Sequence, residues 1–466
     1  MRENDYKKAG TFYFIGNIFN KGIAFLTVPI FTRILSTSDY GIVTTYNSWI
    51  GILSMVVGFT LHMSIRMATI DYKDQLDDFM SSIILFVTLT SLGIIVVVTS
   101  GIKLFHLDAN IVLLVICILQ AYASAIIEDY SNYLMMKYEY RTRTALMILP
   151  NLISIILSVG MIKFVLRTDL YMGRIIPTAV VTFLFGVIAV FRILKKGKLR
   201  INKIYIKYAM TISAPLILHG MALNVLSQSD RIMITFLADS AQTGIYSLIY
   251  NFSMIATVIT TTLEGIWVPW FIIKLKNDSR NEIKVVAKDY INLMTYAMVV
   301  LILIAPEVVK ILANESYWEG ISIIPPVVLA NFVIFSYSLY VNVEHFYKKT
   351  PYITFNTIIA AISNIILNII FIPQFGYVAA AYTTLVSYLI SFVLHARYAK
   401  KLEPNLYPLK QFIFPLFELL IVTILFYVFK DAFVMRWAIM IIYILAMFYI
   451  ERNRLKVYFP NMLFWK

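Results

Sequence analysis

Apolar runs of about twenty residues follow one another along almost the whole chain, each closed by a short charged stretch, and this rhythm predicts fourteen helices. The first six fall near 9–34, 41–65, 79–102, 109–129, 145–165 and 171–191. A second six fall near 209–237, 244–270, 290–312, 321–346, 352–372 and 376–397, and a last pair near 412–429 and 433–450. Twenty residues at about 1.5 Å each reach across a bilayer core of about 30 Å. The runs are continuous rather than alternating, which excludes a membrane β-barrel. The expected fold is therefore an all-α integral membrane protein.

Polar residues interrupt these runs at helical spacing. In the first helix Asn17, Asn20, Ala24 and Thr27 share one face, and Lys21 lies about twelve residues in, near mid-bilayer. A charge at that depth costs about 2.5–3.5 kcal/mol on the mildest scale, so Lys21 is expected to face a polar cavity or a partner. The second helix carries Thr44, Asn47, Ser48, Gly51 and Ser54 on one side, and the seventh carries Ser213, Gly220, Asn224, Ser227 and Arg231, with Gln228 and Asp230 alongside. Gln120, Ser124 and Glu128 mark the fourth, Tyr250, Asn251 and Glu264 the eighth, Ser336, Tyr340 and Glu344 the tenth, and Asn364 and Asn368 the eleventh. Small and hydroxyl residues at such spacing also serve ordinary helix packing. Their recurrence in both halves of the chain, joined to ionisable groups, points to a polar chamber.

Composition agrees: 60% of residues are hydrophobic and only 14% charged, with a mean hydropathy of +0.78, too little polar matter to cover a soluble protein. A net charge of +14 is of the size found in nucleic-acid-binding proteins. Its placement argues for topology instead. With the N-terminus inside, thirty of the forty Lys and Arg residues fall in cytoplasmic segments and eight in outer ones, leaving Lys21 and Arg231 in the membrane. Both termini are then cytoplasmic, and Arg66 and Arg143 stand at the inner mouth. The largest polar connections, 192–207 and 271–289, are both on that side, and the first, basic with interspersed Ile and Tyr, is expected on the anionic inner leaflet. The basic N-terminal flank lacks a cleavage pattern and reads as the entry to a retained first helix. Cys117 is the single cysteine and the five histidines are scattered, so neither a disulfide framework nor a metal centre is expected. No phosphate-binding glycine loop, no Ser/His/Asp constellation and no long outer loop speaks for an enzyme.

The two halves resemble each other. LSTSDYGIVTTYNSW (35–49) matches LADSAQTGIYSLIYNFS (237–253) at an offset of 203, placing Gly41 on Gly244. RTRTALMILPNLISIILSVGMI (141–162) matches YKKTPYITFNTIIAAISNIILNII (347–370) at an offset of 206. Six crossings restore sidedness, so a parallel repeat of two six-helix lobes is expected. The expected division is 1–207 for the first lobe with its basic linker, 208–399 for the second, and 400–466 for an additional helix pair and tail.

The opening GNIFNKGIAFLTVPIFTRILSTSDYG (16–41) resembles the first-helix signature of the polysaccharide-transport branch of the multidrug/oligosaccharidyl-lipid/polysaccharide exporter superfamily, specifically O-antigen and capsule repeat-unit flippases. SAPLILHG (213–220), SDRIMITFLADSAQTGIYSLIYNF (229–252), WVPW (267–270), APEVVKIL (305–312), IIPPVVLA (323–330) and NIILNIIFIPQFGYVAAAYTTLVSY (364–388) are similar to that family's later motifs. Each is low in information, but their order and spacing are specific. The sequence departs from the family at 377–380, where a glycine-rich turn is common.

The resemblance implies two lobes around a cavity and cation-coupled alternating access in a bacterial inner membrane. It also implies transfer of an undecaprenyl-pyrophosphate-linked oligosaccharide to the outer leaflet, alongside a polysaccharide polymerase and a chain-length regulator. Lys21 and Arg231 would then meet the pyrophosphate, with Arg66 and Arg143 at the entrance. Asn17, Asn20, Asn47, Asn224, Gln228, Tyr250 and Tyr340 would offer hydrogen bonds and ring faces to sugar, and membrane lipid would hold the prenyl tail. Asp230, Glu264 and Glu344 are the candidates to couple H⁺ or Na⁺; no other cofactor is expected. A multidrug or small-solute cation antiporter and a peptidoglycan-precursor flippase of the same superfamily are the competing functions. The antiporter would favour carboxylates over Lys and Arg in its chamber.

Overall fold

A computed structural model describes residues 3–106 and 110–458; the side chains of 3–11, 13–15, 17, 18, 21, 24, 215, 216, 218, 219 and 453–458 lie outside the described ones. The described chain is helical throughout: α1 (Glu3–Ile34), α2 (Thr37–Gly58), α3 (His62–Asp71), α4 (Leu76–Leu104), α5 (Ile111–Met136), α6 (Tyr140–Phe164) and α7 (Met172–Lys196). Then come α8 (Lys203–Leu237), α9 (Ser240–Lys276), α10 (Arg280–Leu312), α11 (Ile324–Phe346), α12 (Thr350–Leu402), α13 (Lys410–Val428) and α14 (Phe433–Tyr458). Among the described residues eleven segments are long and apolar enough to cross a membrane. One of them, α12, has 53 residues, about 80 Å of helix and enough for two passes. The protein is an all-α, multi-pass membrane protein; the sequence predicts fourteen crossings, and α1 and α8 are not among those eleven segments of the described residues.

The local interruptions differ from the expected pattern at three places. The second crossing is not one helix: Phe59 (φ 53°) and Thr60 (φ 51°) adopt left-handed backbone between α2 and α3. Ala125 forces close packing there, since a Cβ on Gly58 would stand 2.5 Å from its Cβ. The Thr60 carbonyl freed by the break accepts a hydrogen bond from Ser213 Oγ at 3.4 Å. Conversely, the eleventh and twelfth crossings run on as α12, interrupted only at Gly376 (φ 59°, ψ −144°), a conformation essentially reserved for glycine. The polar connections are also shorter than the charge pattern suggests. Helices α7 and α8 are separated by 197–202 and α9 and α10 by 277–279, because charged helix ends continue past the apolar core. The 197–202 segment is tied to the start of α4: Lys198 N donates to Asp78 Oδ1 at 3.0 Å and Asn202 N to Ser82 Oγ at 2.7 Å.

Packing divides the chain into two compact units, Met1–Ser247 with Thr357–Ala380, and Leu248–Asn356 with Ala381–Lys466. The first has a core of Val57, Ile65, Phe79, Ile83, Ile126 and Tyr133 drawn from α2 to α5, closed by Ile193 and Tyr205. In the second, α11 is the central helix: 83% of the apolar window in Glu315–Phe346 is buried, against 11% for Phe433–Arg452. Pro325 and Pro326 open α11 where missing backbone N–H groups cost nothing. The last helix is fastened to α10 by Arg436, 2% exposed, whose guanidinium meets Glu307 and the Leu303 carbonyl. That pairing satisfies a charge the sequence leaves without an evident role.

Just beyond the α12 end, Glu403 accepts two hydrogen bonds from Arg280, Nε at 2.7 Å and Nη2 at 2.8 Å, and a third from Tyr347. The Arg280 contact holds its carboxyl below the usual carboxylate range, against the opposing effect of burial. A depressed carboxylate contributes stability above its unfolded value and loses it as pH falls through the folded value. Glu403→Gln is expected to lower stability at pH 7 by about 1–2 kcal/mol, discounted for the exposed side of Arg280. Thermal unfolding of the purified protein should show this gap closing as the pH is lowered toward 4.

Candidate functional site

Within the first unit, α2 and α8 lie side by side and their polar faces meet. Thr45 Oγ1 is 2.6 Å from Thr235 Oγ1, which is 2.7 Å from Thr243 Oγ1. One turn along, Ser48 donates to Gln228 Oε1 at 3.1 Å, and Arg231 Nη1 donates to the same oxygen at 2.9 Å. Arg231 is only 7% exposed and also reaches the Ser227 carbonyl at 3.4 Å. Tyr46 donates to Gln120 on α5 at 2.8 Å, and Asn224 Nδ2 lies 2.8 Å from Met55 Sδ. The expected stripes of the second and seventh helices are thus one polar seam with a buried guanidinium in it.

Asp230, one residue away and 1% exposed, points into a different cluster. Its Oδ2 accepts from Tyr246 at 2.6 Å and its Oδ1 from Asn368 at 2.7 Å. Asn364 Oδ1 accepts from Ser229 at 3.1 Å and from Asn368 at 3.2 Å. Shifting back by the repeat offsets, Asn364 becomes Ser158, Ala380 becomes Arg174 and Asp230 becomes Thr27. In that first copy Arg174 Nη1 donates to Ser158 Oγ at 3.3 Å and its guanidinium lies 4.3 Å from the Phe31 ring. The copies thus differ in charge, Arg174 aligning with Ala380 and Asp230 with Thr27.

The start of α2 and the start of α9 form a junction whose contacts repeat at the same offset. Ser36 Oγ accepts from Asp39 N at 3.0 Å, and Asp239 Oδ1 accepts from Gln242 N at 2.8 Å, so both helices begin with equivalent caps. Asp39 Oδ1 then takes the backbone N–H of Tyr171 at 3.3 Å, while Gln242 Oε1 takes that of Tyr377 at 3.0 Å. Ser247 donates to Thr44, its own counterpart 203 residues earlier, at 2.9 Å. At the crossing a Cβ on Gly41 would stand 1.7 Å from the Ser240 carbonyl oxygen, and one on Gly244 2.0 Å from that of Thr37. Thr37 and Ser240 are again repeat partners. Glycine is required at both positions because backbone meets backbone there.

Other expected site residues are dispersed. Asn20 accepts from Asn151 Nδ2 at 2.6 Å, joining α1 to α6. Asn47 is exposed and Arg66 is exposed with Nε and Nη2 on Asn132 Oδ1 at 3.1 and 2.9 Å. Arg143 Nε donates to Ser131 Oγ at 3.1 Å. The side chains of Asn17 and Lys21 lie outside the described ones. In the second unit Tyr250 and Glu264 are half-buried, whereas Tyr340, 1% exposed, packs among Phe392, Tyr407 and Phe412 inside the core. Glu344 is fully buried with Oε2 2.8 Å from His395 Nδ1. His395 went unnoticed in the sequence because it is 51 residues from Glu344 and shares no period with it. Tyr246, Gln242 and Arg174 were within reach of the repeat offset, which aligns each with a position in the other half.

A family described as polysaccharide biosynthesis protein matches residues 7–272, more than half of the chain. Among solved structures, the lipid II flippase MurJ in an inward closed conformation is similar with a TM-score of 0.70 at 17% identity, covering 94% of this chain and 98% of that one. An inward-facing multidrug resistance MATE family transporter of the MOP superfamily gives 0.56 at 13% identity, covering 83% and 96%. MATE in complex with MaL6 gives 0.53 at 14% identity, covering 86% and 97%. No curated protein matches the sequence. The structural likeness is one of fold.

Because Gly41 and Gly244 serve one crossing, their replacements should not add. Gly41→Ala and Gly244→Ala are each expected to destabilise by about 1–3 kcal/mol, and the double variant by clearly less than the sum. Thermal unfolding of the three purified variants measures this; full additivity would mean the two glycines act separately.

Proposed function

The chain belongs to the polysaccharide biosynthesis protein family, and from that membership we propose that it is a flippase. Its cargo is an undecaprenyl-pyrophosphate-linked oligosaccharide, moved from the cytoplasmic to the outer leaflet for O-antigen or capsule assembly. The observation that carries the reading is the α2–α8 seam, where a buried Arg231 shares Gln228 with Ser48 inside a chain of apolar helices. A guanidinium in low dielectric is suited to a pyrophosphate, and neighbouring hydroxyl and amide groups to sugar. Lys21, from the first helix, is the second cation we assign to the pyrophosphate. Arg66 and Arg143 receive it at the inner mouth, and Asn17, Asn20, Asn47, Asn224, Tyr250 and Tyr340 serve the oligosaccharide. The location is a bacterial inner membrane with both termini cytoplasmic.

The working parts are the repeat halves, 1–207 and 208–399, with 400–466 as an added pair that offers the prenyl tail a lipid-side surface. Equivalent residues of the two halves meet at the glycine crossing of α2 and α9, and we assign this junction to closing the outer end of the pathway. Its parting opens that end in alternating access. Coupling uses a cation: Asp230, Glu264 and Glu344 are the candidate carriers, and Asp230 is held by Tyr246 and Asn368. A polymerase and a chain-length regulator would act on the delivered units. The likeness to a lipid II flippase favours one second reading, a peptidoglycan precursor as cargo, which presents the same lipid pyrophosphate.

Disrupting the gene should leave lipid-linked oligosaccharide on the inner leaflet and remove surface polysaccharide; unchanged polysaccharide with lost drug or ion efflux would make the protein an antiporter. Lys21→Ala and Arg231→Ala should each lower surface polysaccharide at least about tenfold with normal membrane insertion, and Lys21→Arg should retain part of it. The junction can be locked directly, since Ser38 Oγ and Ser240 Oγ are 2.6 Å apart. With Cys117 replaced, Ser38→Cys/Ser240→Cys should crosslink on oxidation and stop transport, and reduction should restore it. Transport undiminished by a complete crosslink would remove the junction from the cycle.

A further inference from the structure

In the second unit, well apart in sequence from the α2–α8 seam, Glu344 on α11 and His395 on α12 are 0% and 1% exposed. Glu344 Oε2 lies 2.8 Å from His395 Nδ1, and each makes its ion pair only with the other among the described residues. Glu344 Oε1 is buried and has no hydrogen-bond partner. A pair kept only for structure would be expected to saturate that oxygen, because an unmet buried acceptor costs about 1–3 kcal/mol. Around His395, Tyr337 stacks on the ring at 5.5 Å, and Asn356 Nδ2 lies 3.5 Å from the same Nδ1. Nδ1 therefore has two alternative partners. Carrying a proton, it donates to the carboxylate; with a lone pair, it accepts from Asn356 or from a protonated Glu344.

We propose that Glu344 and His395 form a proton-exchange site that loads one H⁺ per cycle. The proposal rests on the cation-coupled reading above and makes it specific. With His395 neutral and Glu344 ionised, the pair carries one negative charge in the apolar core. Uptake of a proton forms one N–H or O–H bond and brings the pair to zero, and release restores the charge, with nothing oxidised or reduced. The core disfavours the charged state unless a conformational change admits water or a cation, which ties proton release to structure. Sodium suits the site poorly, since it needs several oxygen ligands and the pair itself offers a single uncommitted oxygen, Oε1. The ionisable groups nearby are His345 on α11, exposed and in electrostatic reach of both partners, Tyr340 on α11, Tyr388 on α12, stacked on Tyr337, and Glu264 on α9. Glu264 is half-buried and acts electrostatically on Tyr337, the ring that stacks on His395.

The test uses the full chain in nanodiscs of phosphatidylethanolamine and phosphatidylglycerol, with ¹⁵N-labelled histidine and no cargo. The His395 signals, assigned by their loss in His395→Gln, should titrate by one proton between pH 5 and 9. Glu344→Gln should weaken that proton's binding about tenfold or more. A His395 signal that stays constant over this range overturns the proposal. Should Glu344→Gln fail to fold, infrared difference spectra of the wild type decide: a pH-dependent change in the carboxyl or imidazole bands that shifts in D₂O supports the site, and bands unchanged across the titration refute it. These readouts need no transport. Unchanged polysaccharide on gene disruption would defeat the flippase reading and leave a titrating pair standing, whereas a silent pair with lost polysaccharide would do the reverse.

Discussion

A polar group inside a bilayer has no water to turn to, so each one must find its partner within the protein. That constraint explains why the buried charges are tied to particular neighbours: Arg231 to Gln228, Asp230 to Tyr246 and Asn368, Arg436 to Glu307 and Glu344 to His395. It also governs the backbone. Where α2 breaks at Phe59 and Thr60, Ser213 takes the freed carbonyl; where α12 breaks at Gly376, Gln242 takes the N–H of Tyr377. Breaks occur where another helix supplies the missing bond.

The duplicated plan turns this constraint into a pattern. Equivalent caps, Ser36 and Asp239, start equivalent helices, and equivalent side chains, Asp39 and Gln242, hold equivalent backbone N–H groups. Glycines at one offset then let backbone approach backbone. The copies differ in charge: Arg174 of the first half aligns with Ala380, and Asp230 of the second with Thr27. The asymmetry gives the two halves different chemistry on a common frame.

How much of this was legible follows from the kind of signal each residue left. Gly41 and Gly244 could be paired from sequence because turn-and-cap motifs are short, local and rich in polar identity. The stripes of the second and seventh helices were readable at period 3.6, and they do adjoin. Tyr340 shares the same spacing as neighbouring polar residues yet packs among Phe392, Tyr407 and Phe412, since a phenol suits a core as well as a cavity. Asn20 fell on the expected face, but its partner Asn151 belongs to a helix whose neighbour no spacing could name.

From the sequence alone came the class and the repeat offset, because the cost of burying charge in lipid acts on each segment separately. Hydropathy decides a crossing one helix at a time, and an offset of 203 is a property of the chain as written. Only the tertiary structure decided which polar groups share a cluster. Asp230 and Arg231 are adjacent in sequence, yet a rotation of about 100° per residue sends one toward Asn368 and the other toward Gln228. Glu344 and His395, 51 residues apart, were brought within 2.8 Å by packing alone. Partnership between helices depends on how their surfaces fit, and that is information held jointly by segments far apart in the chain.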